Sequence, residues 1–117
     1  MSKVVVLGGC GAVGSVAVET LSRQDLFDEV VVGDIDMERA GQIIARIGSG
    51  KVSSGKVDAL DPDSIRQAIR GADVVLNCIG PFYSTVKTIL KTVIEERVDY
   101  VDICDDVDVT LEILDMD

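Results

Sequence analysis

The sequence of 117 residues predicts an α/β fold: a doubly wound parallel sheet of about five strands with helices on both faces. Three observations predict it. Short valine-rich runs alternate with segments of helical period from one end of the chain to the other. The runs are apolar without a polar alternation, as strands covered on both faces are. Glycine, proline and aspartate stand at the borders between runs and helical segments. Parallel strands need a crossover between them, and the crossover is right-handed, so the expected strand order is 3-2-1-4-5.

The first strand is read at residues 4–7, followed by a helix with the apolar stripe Val13, Val16, Ala17 and Leu21. A second strand at residues 30–32 leads to a helix with the stripe Ala40, Ile43, Ile44 and Ile47. Asp36 stands where that helix needs an N-cap, and Gly48 falls just past its end. A weaker strand at residues 52–57 overlaps the glycine- and serine-rich stretch 48–55. Asp61-Pro62 then reads as a cap followed by proline at the first helical position, ahead of the stripe Ile65, Ala68, Ile69 and Ala72, with Gly71 at its end. The fourth strand is residues 74–76, and the helix after it carries Val86, Ile89, Leu90, Val93 and Ile94. Residues 100–103 make the fifth strand, and residues 107–115 begin a further helix. Each stripe is expected to face the sheet.

The length suits one domain, residues 1–117, large enough to bury a core without disulfides or metal and too small for a complete two-domain enzyme. No apolar run is long enough for a membrane span or a secretory leader, so the expected location is the cytoplasm. Eleven basic and 21 acidic residues give a net charge of −10, which argues against nucleic acid as a partner. The excess is uneven: residues 1–98 hold 13 acids and 11 bases, while residues 99–117 hold 8 acids and no base. There is no histidine, which removes the commonest general base and metal ligand, and no metal site is expected. Three cysteines without a close pair argue for a reducing compartment.

Directly after the first strand comes Gly8-Gly9-Cys10-Gly11-Ala12-Val13-Gly14. Counted from Gly9 it is GxGxxG, and counted from Gly8 it is GxxGxxG. Such a loop needs glycine for a tight turn, for close approach of the backbone to a pyrophosphate, and for close contact between helix and strand. The following helix points its free N–H groups and the positive end of its dipole at the phosphates. Asp34 ends the second strand 20 residues beyond Gly14, where a carboxylate accepts the ribose hydroxyls of an adenosine. A 2′-phosphate would meet the same charge, and two unit charges about 4 Å apart near a surface repel by about 4 kcal/mol. The expected cofactor is therefore NAD rather than NADP, bound in a Rossmann-like domain.

Two further strand ends are candidate cofactor contacts. Asp58 and Ala59 follow the third strand, where a short acid can accept from the adenine amino group or simply face solvent. Asn77-Cys78-Ile79-Gly80-Pro81-Phe82 follows the fourth, where glycine and proline force a sharp exit. Asn77, Gly80 and Pro81 would then run beside the nicotinamide ribose. An ordinary strand-to-helix turn, with Phe82 packed on the next helix, accounts equally for the pattern.

Gly8 to Gly14, the Asp34-Ile35 end of the second strand, the Gly80-Pro81-Phe82 turn and Tyr100-Val101-Asp102 together resemble the N-terminal nucleotide-binding domain of the saccharopine dehydrogenase family. The resemblance spans nearly the whole chain, from about Lys3 to about Asp106. It implies a nicotinamide-dependent oxidoreductase, the named members acting on the C–N bond of saccharopine in lysine metabolism. It also implies a second, substrate-binding domain beyond this chain, so no catalytic acid or base carries over and the chain alone is expected to be inactive. Many family members have Ser-Arg after the second strand and use NADP; Asp34-Ile35 in that place points again to NAD. A regulatory NAD-sensing module that works as a dimer is the alternative reading of a strand, glycine loop and acid.

With the expected strand order, Cys10, Cys78 and Cys104 all gather at the carboxyl edge of the sheet, as a redox-sensitive or soft-metal group or as small buried apolar residues. Asp102, Asp105 and Asp106 fall at the same edge, where they cap a helix or, beside a second domain, attract a cationic amino-acid substrate. A fifth strand at the sheet edge offers unpaired backbone groups, so a homodimer is expected.

Overall fold

The computed structural model describes residues 2–79 and 82–102, the side chains of residues 82–87 and 102 excepted. Nine elements follow one another: β1 Lys3–Leu7, α1 Ala12–Ser22, β2 Glu29–Asp34, α2 Met37–Ile47, β3 Val52–Lys56, α3 Pro62–Ile69, β4 Val74–Asn77, α4 Phe82–Glu95 and β5 Asp99–Asp102. The five strands form one sheet in the order β3-β2-β1-β4-β5, all pairs parallel. The expected order and direction are therefore observed. Gly80, Pro81, Ile103, Cys104, Asp105, Asp106 and the helix read at 107–115 lie outside the described residues.

Alternation along the strands splits the interior in two. Val4, Val6, Val30, Val32 and Val52 face Val18 of α1 and Ala40 and Ile43 of α2. Val5, Leu7, Val31 and Val75 face Ile65 and Ile69 of α3 and Ile89 and Val93 of α4. Burial on both sides is why these strands read as unbroken apolar runs. At about 1.5–3 kcal/mol for each fully buried aliphatic side chain, the two layers supply most of the force that holds helices to sheet.

Helix ends follow the local sequence. Asp36 Oδ1 accepts from the Arg39 N–H at 3.0 Å and Asp61 Oδ1 from the Asp63 N–H at 3.0 Å, with Pro62 opening α3. Gly48 closes α2 at φ 69° and Gly71 turns at φ 80°, both in the left-handed region that favours glycine. Between α3 and α4, Arg66 reaches Asp63, Glu95 and Glu96 at 2.7–3.0 Å.

One stripe is not where the periodicity puts it. Val13 and Val16 of α1 are 54% and 61% exposed, whereas Gly14 and Val18 are buried and Leu21 packs against the sheet. The helix is turned so that Gly14 faces β1, because a Cβ at Gly14 would stand 2.1 Å from the Gly8 carbonyl oxygen. Val18 and Leu21, four and seven residues on, share that face.

Candidate functional site

The strand order reverses at β1, whose neighbours are β2 on one side and β4 on the other. Loops leaving the carboxyl ends of strands on either side of such a point diverge and open a crevice, the usual ligand position in this architecture. A cavity of about 380 Å³ lies there. Of the residues predicted from sequence, Gly8, Gly11, Asp34, Ile35, Asp58 and Ala59 line it. Val57, Leu60, Cys78 and Ile79 line it too.

The glycine loop divides its tasks in a definite way. The tight turn is at Gly8, with φ 75°, so the count that starts from Gly8 matches the backbone. A Cβ there would also stand 2.8 Å from the Ile79 nitrogen, so only glycine lets the exit of β4 lie against the loop. Gly9 packs on Val32 instead, with an added Cβ 2.8 Å from its Cγ1. The turn is closed by the Gly11 N–H donating to the Gly8 carbonyl at 3.1 Å. Gly11 is the N-cap of α1, and no side chain among the described residues caps that helix. Ala12 and Val13 follow on its exposed first turn. A helix entrance left open in this way is suited to an anion.

On the β2 side, Asp34 joins two loops. Its Oδ2 accepts from the Cys10 N–H and its Oδ1 from the Asp36 N–H, both at 3.1 Å. Carboxylate oxygens have further lone pairs, so these bonds hold the group at the crevice wall without using up its capacity to accept. Asp36 takes the capping role expected of it rather than a place on the wall. Asp58 Oδ1 accepts from the Leu60 N–H at 3.0 Å, and its own N–H donates to Ser64 Oγ at 2.8 Å, which shapes the β3–α3 turn beside the cavity.

Asn77 and Cys10 are placed differently from the wall residues. Asn77 is fully buried; its Nδ2 donates to the Tyr100 hydroxyl and its Oδ1 accepts from the Ile79 N–H, each at 3.0 Å. It fixes the exit of β4 from beneath. The Cys10 side chain points into the core, its thiol donating to the Asp36 carbonyl at 3.7 Å. Burial first, and the Asp34 charge second, push that thiol up from an ordinary value of 9.0 to about 11, so it is protonated at neutral pH. Burial raises Cys78 as well. Among the described residues no group of three or more acids and cysteines could hold a metal ion, and no helix is long and apolar enough to cross a membrane.

Sequence reasoning missed Arg39, whose Nε donates to the Cys10 carbonyl at 2.8 Å. A signal was there: a cation in the first turn of a helix opposes the helix dipole and so needs another reason for its place. Leu60, which is exposed, and Ile79, which is half-buried, were missed because apolar residues in strand-to-helix turns have no periodicity to mark them.

The family model described as the saccharopine dehydrogenase NADP binding domain matches residues 4–114. Carboxyaminopropylagmatine dehydrogenase of Synechocystis sp. is 30% identical over 87% of this chain and 25% of its own length. A saccharopine dehydrogenase-like oxidoreductase of Rattus norvegicus is 28% identical over 87% of this chain and 27% of its own. The chain thus spans about a quarter of the length of the curated relatives it matches. Among solved structures, apo saccharopine dehydrogenase (L-Glu forming) from Saccharomyces cerevisiae superposes with a TM-score of 0.79 at 22% identity, over 97% of this chain and 24% of that one. A short-chain dehydrogenase/reductase from Veillonella parvula in complex with NADP gives 0.70 at 18% identity, over 86% of this chain and 46% of that one. At these identities the superpositions establish a shared fold.

Proposed function

The chain belongs to the family of the saccharopine dehydrogenase NADP binding domain, and from that premise we propose that it binds NAD as the cofactor portion of a nicotinamide-dependent oxidoreductase. The observation that carries the choice of NAD is Asp34 on the wall of the crevice, held by two backbone N–H groups. Its carboxylate accepts both hydroxyls of the adenosine ribose, and it stands against a 2′-phosphate by like charge. In this respect the chain departs from the cofactor in its family's description. Gly8, Gly11 and the open entrance of α1 take the pyrophosphate, with Ala12, Val13 and Gly14 in its first turn. Asp58 and Ala59 border the adenine. Hydride transfer would then require a substrate-binding domain, and the acids at the end of β5 favour a cationic substrate at its junction.

Titration of the chain with NAD and NADP, in parallel, tests the reading. NAD is expected to bind at least about tenfold more tightly, a preference of about 1.4 kcal/mol. Tighter binding of NADP overturns the assignment of Asp34, and binding of neither overturns the dinucleotide reading.

A further inference from the structure

The tip of the glycine loop is fastened to the β2–α2 turn through one residue. Asp34 takes the Cys10 N–H, the Asp36 carbonyl takes its thiol, and Arg39 Nε donates to its carbonyl. Each peptide unit is planar and trans, so fixing the N–H of Cys10 also fixes the Gly9 carbonyl that shares its plane, and fixing the carbonyl of Cys10 fixes the Gly11 N–H. The Gly11 N–H is the donor that closes the turn on Gly8, and Gly11 is also the residue from which α1 starts. The direction in which the first turn of α1 presents its N–H groups is thus set from outside the loop. Asp34 and Asp36 have other tasks, on the crevice wall and at the cap of α2. The bond to Cys10 is the sole hydrogen bond of the Arg39 side chain among the described residues, and it places a cation where the α2 dipole disfavours one.

We infer that Arg39 is a positioning residue for the phosphate-binding loop: from α2 it locks the peptide plane between Cys10 and Gly11 and so aims the entrance of α1, without touching the ligand. This rests on the dinucleotide reading above. Locking the loop before binding lowers the ordering cost that the ligand would otherwise meet, and it does so equally for every ligand that carries the pyrophosphate.

The test is Arg39→Met, which keeps the length of the stem and removes the donor. Affinity for NAD and for NADP is measured on the full chain beside the unaltered protein, together with amide exchange by NMR. Loss of one charge-assisted bond predicts weakening on the order of tenfold for both cofactors, with their ratio unchanged. Exchange at the Gly11 amide should quicken on the order of tenfold, while Val5 and Val31 in the sheet keep their protection, which a general loss of stability would not spare. Unchanged affinity, or loss confined to NADP, overturns the inference; the second outcome would make Arg39 a contact of the 2′-phosphate. If the unaltered chain binds neither cofactor, the dinucleotide reading falls. Faster exchange at Gly11 would then leave Arg39 a brace without a ligand, and the inference falls with it.

Discussion

Helices α1 and α2 pack against the same face of the sheet, yet different forces set their rotation. In α2 the stripe Ala40, Ile43, Ile44 and Ile47 faces inward, as its spacing requires, and the helix is closed at both ends by its own sequence, Asp36 in front and Gly48 behind. In α1 the spacing favours Val13 and Val16, and both are outside. Its rotation is set by one steric contact, Gly14 against the Gly8 carbonyl, and its front end has no side-chain cap. A structural helix is positioned by the area it buries. A ligand-binding helix is positioned by the closest approach its backbone can make, and it leaves its first N–H groups for something else.

The sharpest way to break the comparison is Gly14→Ala. The added methyl would meet the Gly8 oxygen at 2.1 Å and two more backbone atoms at 2.9 Å, none of which can yield as a side-chain tip can. Displacing α1 opens the packing of its Val18 against the sheet and moves the loop, so the expected loss is about 4 kcal/mol or more of stability by urea unfolding, with dinucleotide affinity falling at least about a hundredfold. Near-normal affinity in a folded variant would show that close approach does not place this helix.

Ile43→Ala probes the other helix. Ile43 is buried against the sheet one helical turn beyond Arg39, and it does not line the crevice. Removing its outer carbons should lower stability by about 2–3 kcal/mol and leave dinucleotide affinity of the folded protein unchanged. A parallel fall in affinity would mean that the rotation of α2, like that of α1, is transmitted to the site.

What could be read from the sequence divides along the same line. The runs at β1, β2 and β4, the stripe of α2, the caps Asp36 and Asp61 and the glycines 48 and 71 were legible because each depends on neighbours within a few residues. Asp34 was legible as a wall residue because its position follows from strand length and from the loop that precedes it. The rest depends on contacts between distant segments. Which glycine makes the turn is decided by Ile79 pressing on Gly8, the rotation of α1 by Gly8 pressing on Gly14, and the burial of Asn77 by the Tyr100 hydroxyl one strand away. Periodicity counts side chains by hydropathy, and glycine contributes least to that count, although in α1 it decides which side faces the sheet.

The smallest effect gives the cleanest discrimination between the two modes. By hydropathic spacing alone Val16 belongs to the inner stripe of α1, and Val16→Ser would then remove a buried aliphatic group at about 1.5–3 kcal/mol. In the structure Val16 is 61% exposed, and serine and valine have similar helix propensities, so the expected change is within about 0.5 kcal/mol. Urea unfolding resolves the two values easily. The same helix should therefore tolerate a polar residue on a position its pattern marks as core and reject a single methyl on a position its pattern ignores. A loss of 2 kcal/mol or so at Val16 would place that side chain in a covered contact and return α1 to the rule that governs α2.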